Sequence, residues 1–276
     1  MDLLAPFFDR FSLTARMFYS GTLCGVTPDQ NSDTGYLHVL KQGKLKITRP
    51  GARQLVIDKP SIIFFPRPRL HRLHGLTEDG AELVCATIEF GAGMLNTLVA
   101  SFPEPLVMPL DALPELAPTL QLLFTEAAAQ SPGRQAALDR LFEYLFVLLM
   151  RSAADTHLVK SGILPGLSDP RLSKAIEAMH QRPETSWSLE QLAQLAGMSR
   201  ARFAVHFRQI VGMTPFGYLT NWRMGIVQTM LRKGNSLKLI AAAVGYANAP
   251  ALTRVFTQRV GVSPSEWLAR SRVHNA

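Results

Sequence analysis

Phe207-Arg-Gln-Ile-Val-Gly-Met-Thr-Pro215 recurs as Phe256-Thr-Gln-Arg-Val-Gly-Val-Ser-Pro264, 49 residues further along the chain. Upstream, Leu192-Ala-Gln-Leu-Ala-Gly197 recurs as Ile240-Ala-Ala-Ala-Val-Gly245, at an offset of 48 residues. The same unit is therefore present twice in the C-terminal third, and the second copy has one more residue in its turn.

Each copy predicts two short helices that meet at a glycine. Gly197 and Gly245 supply the positive φ that turns the chain sharply, and Ser199 and Asn248 are good N-caps for the helices that follow. Two short helices joined in this way form a helix-turn-helix unit. Apolar residues three to four apart mark the first helix of each copy (Leu189, Leu192 and Leu195; Leu237, Ile240 and Val244) and the second (Phe203, Phe207 and Ile210; Leu252, Phe256 and Val260).

The positive charge of the chain belongs to this repeated part. Residues 166–276 contain 14 Lys or Arg against 5 Asp or Glu, whereas residues 1–165 contain 15 against 16. A basic surface alone does not decide whether the partner is a nucleic acid or an acidic protein. The duplicated helix-turn-helix favours sequence-specific DNA binding, because an architectural or RNA-binding protein without sequence preference needs no pair of reading helices.

Residues 168–270 resemble the AraC/XylS family of transcription regulators. The resemblance implies a double-stranded DNA partner, with RNA polymerase as a second partner if the protein is an activator, which is the commoner behaviour in the family. Ala249 and Leu252 depart from the family's usual serine and phenylalanine, a difference that concerns base preference rather than fold. The matching residues are Ser188-Leu189 through Pro215, Tyr218-Leu219, Arg223-Met224, Ile240-Ala241, Val244-Gly245-Tyr246, Arg254, Phe256, Gly261, Ser263-Pro264 and Trp267.

The second helix of each unit is expected in the DNA major groove, with its N-terminal side chains at the base edges. Arg254 is the strongest predicted base reader, because a guanidinium can bond both acceptors of a guanine, and Arg200 is the next. The predicted phosphate contacts are Arg202, Arg208, Arg223, Lys233 and Lys238. The full set of predicted DNA-binding residues is Arg200, Ala201, Ala204, Val205 and Arg208 in the first unit, and Asn248, Pro250, Ala251, Thr253 and Arg254 in the second.

The N-terminal part predicts a β-barrel or a β-sandwich, because short strands alternate with turns between residues 18 and 90. Pro66-Arg-Pro-Arg-Leu-His71 resembles the second motif of a cupin barrel, and His38…Gly43 resembles the first. Two histidines fall short of the three protein ligands that a catalytic metal needs, so we expect no metal or other cofactor and interpret His38 and His71 as sensor-pocket or core residues. The predicted class is α+β, with a cupin-like barrel followed by an all-α domain.

Two helical stretches between Leu113 and Arg151 are separated by Ser131-Pro-Gly133. The apolar stripe of the second stretch covers the barrel, pairs with a second subunit, or does both. The family resemblance implies a sensor that dimerises, so a homodimer is expected. The predicted domains are a sensor and dimerisation domain at 1–152, a linker at 153–168 and a DNA-binding domain at 169–276.

The two cysteines, Cys24 and Cys85, both fall in the predicted sensor domain. In one interpretation they are small buried hydrophobic residues, and in the other an oxidant joins them in a disulfide that changes DNA affinity. A small organic effector in the barrel mouth, lined by Phe64, Phe65 or His71, is the competing signal.

The remaining classes of function are disfavoured. The N-terminus lacks the pattern of a secretory signal and the longest apolar run is too short for a bilayer, so we expect a cytoplasmic protein without a membrane partner. A cupin-type metal enzyme with a DNA-binding tail is the main alternative, and it is disfavoured because only His38 and His71 stand at likely ligand positions and no partner carboxylate fits. The sequence also contains no activated nucleophile and no phosphate-binding glycine loop.

Overall fold

The computed structural model describes residues 4–27, 34–91, 98–155 and 161–273. It divides into two compact units, one made of residues 13–89 and 102–158 and the other of residues 1–12, 90–101 and 159–276. The first unit is built on β-sheets and the second is helical, so the predicted α+β class is confirmed. The predicted domain boundaries stay a prediction, and the division differs from them in grouping the first 12 residues with the helical unit.

The sheet unit contains a five-stranded sheet and a three-stranded sheet. The larger has the strand order β1-β7-β2-β5-β8, and the smaller has the order β4-β3-β6. Strands β2 and β5 pair antiparallel with His38 opposite Ile63, and β2 and β7 pair antiparallel with His38 opposite Cys85. The strands are β1 (Leu13–Leu23), β2 (Gly35–Gln42), β3 (Leu45–Thr48), β4 (Leu55–Ile57), β5 (Ser61–Phe65), β6 (Arg72–Gly75), β7 (Ala81–Phe90) and β8 (Leu106–Pro109).

One apolar core lies between the two sheets. It takes Leu40, Phe65 and Cys85 from the larger sheet, and Ile47 and Leu73 from the smaller. Because successive strand residues point to opposite faces, the alternate residues of β2 and β5 are left for the other face of the larger sheet.

Two helices cover that other face, at the positions that the sequence predicts. They are α2 (Ala117–Ala128) and α3 (Arg134–Asp155). Phe64 of β5 contacts Phe146 of α3 with ring centroids 5.5 Å apart, and Met17 of β1 donates its backbone N–H to Asp139 of α3 at 2.7 Å.

The helical unit contains nine helices among the residues that the structure describes. Tyr218 and Trp222 on the longest of them are fully buried and form the centre of its core, with Phe203 and Phe207. Phe7 of the first helix packs edge-on against Trp222 at 5.2 Å. The helices are α1 (Ala5–Arg10), α4 (Ile163–Ser168), α5 (Leu172–Gln181), α6 (Leu189–Leu195), α7 (Arg200–Val211), α8 (Pro215–Arg232), α9 (Leu237–Ala243), α10 (Ala249–Val260) and α11 (Pro264–Val273).

The helix ends of the repeated units are those that the sequence predicts. Ser199 and Asn248 cap α7 and α10, and Asn248 Oδ1 accepts from the backbone N–H of Ala251 at 2.9 Å. Gly197 and Gly245 adopt φ of +61° and +74° in the two turns. Gly245 has a second constraint, since a Cβ at this position would lie 2.1 Å from the backbone oxygen of Glu184.

The stretch predicted as linker is helical at both ends: residues 153–155 belong to α3, and the other helical residues are 163–168. These residues form α4, whose Ile163 and Leu164 are buried, and the backbone N–H of Gly162 donates to the backbone oxygen of Ile210 at 2.8 Å. The Ser, Gly and Pro content of this stretch suggested a linker, but its apolar residues are packed against α7. Residues 156–160 of the predicted linker lie outside the described residues.

Candidate nucleic-acid interface and sensor residues

The outer faces of α7 and α10 present the predicted DNA-binding side chains to solvent. Arg200, Ala201, Val205 and Arg208 of the first unit are exposed, as are Asn248, Pro250 and Arg254 of the second. Ala204, Ala251 and Thr253 are half-buried beside them. Phe203, Phe207, Leu252 and Phe256 on the opposite faces are fully buried, so the core fixes which side of each helix is free.

Arg200 has a partner that the sequence analysis missed. Its Nη1 lies 3.0 Å from Glu190 Oε1, and this ion pair joins the start of α7 to the first turn of α6. Both side chains are largely exposed, so the pair contributes little to stability and mainly restricts where the guanidinium points.

Arg223, a predicted phosphate contact, already bonds backbone oxygens within the protein, which disfavours that role. Its Nε donates to Pro183 O at 2.6 Å and its Nη2 donates to Thr185 O at 2.8 Å. The same guanidinium lies 5.6 Å from the ring centre of Tyr246, where cation and aromatic face attract each other. Arg223 therefore ties α8 to the segment before α6 and to the turn of the second unit.

The connecting helix α8 is buried on several sides. His180 of α5 stacks on Trp222 with ring centroids 3.8 Å apart and is hydrogen-bonded to the Tyr218 hydroxyl. Burial, with a smaller effect of Arg10, lowers the pKa of His180 to about 3. Leu219, Trp222 and Ile226 are buried, so the apolar stripe of α8 belongs to the core of the helical unit.

His38 and His71 meet inside the sheet unit. Their Nε2 atoms are 2.9 Å apart, and both side chains are fully buried. His71 Nδ1 lies 2.8 Å from the backbone oxygen of Arg69 and must donate to it, so His71 Nε2 accepts the proton of His38 Nε2. Burial lowers the pKa of both imidazoles, so the pair is neutral, and His38 Nδ1 is left without a hydrogen-bond partner.

Cys24 and Cys85 occupy different environments. Cys24 is exposed at the end of β1, and Cys85 is buried in the core between the sheets. Burial raises the pKa of the Cys85 thiol, so this group is protonated at neutral pH. Burial also raises the pKa of Tyr19, with smaller contributions from Cys85 and Cys24.

The predicted ligand-lining role of Phe64 is wrong. Phe64 points towards α3, whereas its neighbour Phe65 points into the core and stacks on His71 at 4.0 Å. The two rings lie on opposite faces of β5 and cannot line one cavity. Among the described residues, no group of three or more His, Cys, Asp or Glu side chains is placed to hold a metal ion.

Comparison with known proteins finds matches over both parts of the chain. Residues 2–155 match a family described as Cupin, and residues 192–270 match a family described as Helix-turn-helix domain. No helix in the described ranges has the length and apolar character needed to cross a membrane.

Similar proteins are named as regulators of transcription. An uncharacterized HTH-type transcriptional regulator of Haemophilus influenzae is 30% identical over 87% of this chain and 87% of that protein. The RCS-specific HTH-type transcriptional activator RclR of Escherichia coli is 30% identical over 85% of this chain and 84% of its own length. The HTH-type transcriptional regulator AlkR of Acinetobacter baylyi is 26% identical over 94% of this chain and 89% of its own length.

Proposed function

The chain belongs to the AraC-type helix-turn-helix transcription regulators with an N-terminal cupin domain, and from this premise we propose that it binds a specific DNA sequence through α7 and α10 in response to a signal received by the cupin domain. The chain matches these relatives over most of their length, and they are named transcription regulators. The chain is therefore a transcription regulator and not a cupin enzyme.

One observation carries the proposal for DNA: both copies of the unit leave the outer face of their second helix exposed and basic. Arg200 and Arg208 stand on α7 and Arg254 stands on α10, each opposite fully buried aromatic side chains. A helix held in this way can enter the major groove without disturbing its own core. We assign Arg254 to direct base reading and Arg200 to a second base contact.

The other predicted DNA-binding residues either have small apolar side chains or already form a hydrogen bond within the protein. Ala201, Ala204, Val205 and Ala251 can touch thymine methyl groups or allow close approach, but they offer no hydrogen bond. Asn248 Oδ1 is used as a helix cap, so only its amide N–H groups are available to DNA. Most of these apolar side chains belong to the first unit, so we propose that it recognises DNA more through phosphate contacts and DNA shape than the second unit does.

A footprint of the purified full-length protein on its own upstream DNA, at one fixed salt concentration, tests the proposal. Arg254→Ala is compared with Arg270→Ala, an exposed arginine of α11 that pairs with Glu266 at 2.6 Å. Two adjacent protected half-sites that are lost in the first variant and kept in the second would support the assignment. Uniform coating without a preferred site would contradict it.

For the signal we propose oxidation through Cys24 and Cys85. A peroxide or hypohalous oxidant converts the exposed Cys24 thiol to a sulfenic acid, and the oxidant is reduced to water or halide. The Cys85 sulfur then attacks this sulfenic acid, which forms a disulfide and releases water. Because Cys85 is buried, the second step requires β7 to move, and that movement would be the change passed to the DNA-binding part.

Two further partners follow from the same proposal. Leu122 of α2 and Tyr144 of α3 are 59% and 52% exposed, and we propose that these two helices pair with a second copy of the chain. An activator would also contact RNA polymerase, and we place the protein in the cytoplasm, where both DNA and polymerase are found.

A further inference from the structure

The two copies of the helix-turn-helix unit, residues 188–215 and 236–264, have the same amino acid at few positions, and the fold explains almost all of them. Serines cap the first helices, glycines with positive φ follow helix ends, and prolines begin the next helices. The shared apolar side chains are buried or half-buried. The pairs explained in this way are Ser188 and Ser236, Leu189 and Leu237, Ala193 and Ala241, Gly197 and Gly245, Phe207 and Phe256, Val211 and Val260, Gly212 and Gly261, and Pro215 and Pro264.

One shared pair of side chains has no structural role. Gln209 of α7 and Gln258 of α10 stand at the same place in the repeat, and both are exposed. Within the described ranges, neither side-chain amide has a hydrogen-bond partner in the protein. An exposed glutamine on a helix adds little to stability, so folding does not require this residue at either position. The two amides are therefore available to bind a molecule outside the chain.

The two glutamines extend the faces of α7 and α10 that are expected to meet DNA. Gln258 follows Arg254 by four residues, which places it on the same helix face, about 6 Å further along the axis and away from the buried Phe256. Gln209 has the same relation to Val205 on α7. Helical side chains lean towards the N-terminus of their helix, so both amides extend towards the end that enters the major groove.

We infer that Gln209 and Gln258 read bases, and that each binds one adenine in the half-site of its own unit; this inference rests on the proposed function. A glutamine amide matches adenine with two hydrogen bonds, because its oxygen accepts from the N6 amino group and its N–H donates to N7. A recognition helix can read bases from positions two turns apart, so a reader one turn beyond Arg254 is within its reach.

A phosphate contact explains the pair of glutamines less well. A phosphate oxygen accepts from any exposed donor, and the cations of the two helices do not match in this way. Arg202 and Arg208 of α7 correspond to Ala251 and Thr257 of α10. A contact that tolerates such exchange does not require glutamine in both copies, whereas the two-bond match to adenine does require a carboxamide.

The inference gives the two halves of the operator a definite relation. Both half-sites contain an adenine at the position that Gln209 or Gln258 reads. They differ at the position read by the residue one turn earlier, because Arg254 bonds a guanine and Val205 offers only contact with a thymine methyl group.

Selection of duplexes from a random-sequence library by the full-length protein, at one fixed salt concentration, tests the inference. Gln258→Glu and Gln209→Glu are the main variants, because a carboxylate cannot donate to adenine N7 and instead accepts from cytosine N4. Gln194→Glu is the matched control, since Gln194 is an exposed glutamine on α6, outside the reading helices. All three changes add one negative charge at an exposed helical position, so their general repulsion from DNA is comparable.

We expect Gln258→Glu to replace adenine by cytosine at one position of one half-site, and Gln209→Glu to do the same at the matching position of the other. The corresponding alanine variants should lose about five- to 100-fold of the preference for adenine, as for other two-bond contacts to a base. Gln194→Glu should select the same sequences as the wild type, with an affinity that is lower for all of them.

An unchanged base preference in both glutamate variants would overturn the inference and leave Arg254 and Arg200 as the base readers. An equal loss of affinity on every sequence in the alanine variants would assign the glutamines to phosphates and would also overturn it. Both of these results leave the wild type with a specific site. A wild-type protein that selects no sequence would instead contradict the proposed function, and the inference would fall with it.

Discussion

Glu190 and Arg200 form an ion pair of 3.0 Å between the two helices of the first helix-turn-helix unit. The contact places a carboxylate next to a predicted base reader on a surface that is otherwise basic. A carboxylate at this position repels the DNA backbone and also competes with the bases for the guanidinium.

We therefore expect Glu190→Gln to strengthen DNA binding and Arg200→Ala to weaken it. Exposed ion pairs contribute at most about 1 kcal/mol, so the gain should not exceed roughly fivefold in affinity. The measurement is a titration of operator DNA by fluorescence anisotropy with both single variants and the double variant. If Glu190→Gln instead weakens binding, the carboxylate orients Arg200 for reading rather than restraining it.

Arg254→Ala should cost about 1–3 kcal/mol on the preferred operator and relax the preference at one base pair. The physical reason is the loss of paired hydrogen bonds to a guanine edge, which no other exposed side chain early in α10 can replace. Binding to a library with every base varied at each operator position measures this effect. An equal loss of affinity on all sequences would move Arg254 to the phosphate contacts.

The two turn glycines provide a matched pair of substitutions. Gly197→Ala meets no atom within 4 Å and bears only the cost of the left-handed backbone, about 1–2 kcal/mol, whereas Gly245→Ala also places a Cβ 2.1 Å from Glu184 O. We expect the thermal midpoint of the helical unit to fall further in Gly245→Ala than in Gly197→Ala. Equal shifts would mean that the segment around Glu184 moves aside freely.

Both turn glycines were predictable from the sequence, because the residues that begin and end a helix act on neighbouring backbone groups. Ser199, Asn248 and Gly197 act within four residues of their own position, and the sequence pattern contains that information. Arg223 bonds backbone oxygens 38 and 40 residues away, and no local pattern distinguishes it from the exposed arginines.

Contacts between distant residues explain the other differences. His38 and His71 were recognised as barrel residues, but their hydrogen bond depends on the register of β2 against β5 and on the turn before β6. α4 was mistaken for linker because a six-residue helix has too few residues for a periodic pattern, and it is identified only by packing of Ile163 and Leu164.

Acid should destabilise the helical unit through His180. The pKa of this imidazole is about 3 in the folded chain against 6.5 in its ordinary state, so between these values the unfolded chain binds a proton that the folded chain excludes. The free energy of unfolding therefore falls as the pH drops below 6.5, by at most about 1.4 kcal/mol per pH unit, and the loss ends near pH 3.

Tryptophan fluorescence can follow this transition, because Trp187, Trp222 and Trp267 all belong to the helical unit. His180→Phe should flatten the dependence of stability on pH between 6.5 and 3, whereas Tyr218→Phe, which keeps the imidazole, should retain it. A slope that is unchanged in His180→Phe would assign the acid sensitivity to another group.

The different burial of Cys24 and Cys85 gives the proposed redox switch a definite order of events. In the reduced protein, iodoacetamide should label Cys24 at once and Cys85 only under conditions that unfold the sheets. After brief treatment with hydrogen peroxide, mass spectrometry should find the disulfide in the wild type and a trappable sulfenic acid on Cys24 in Cys85→Ser.

Cys24→Ser should show neither product, and its footprint should be the same before and after oxidation. Serine is close in size to cysteine, so a change of stability does not confuse the comparison at the exposed position. If both serine variants respond to oxidant as the wild type does, the cysteines are structural and the signal enters through another site.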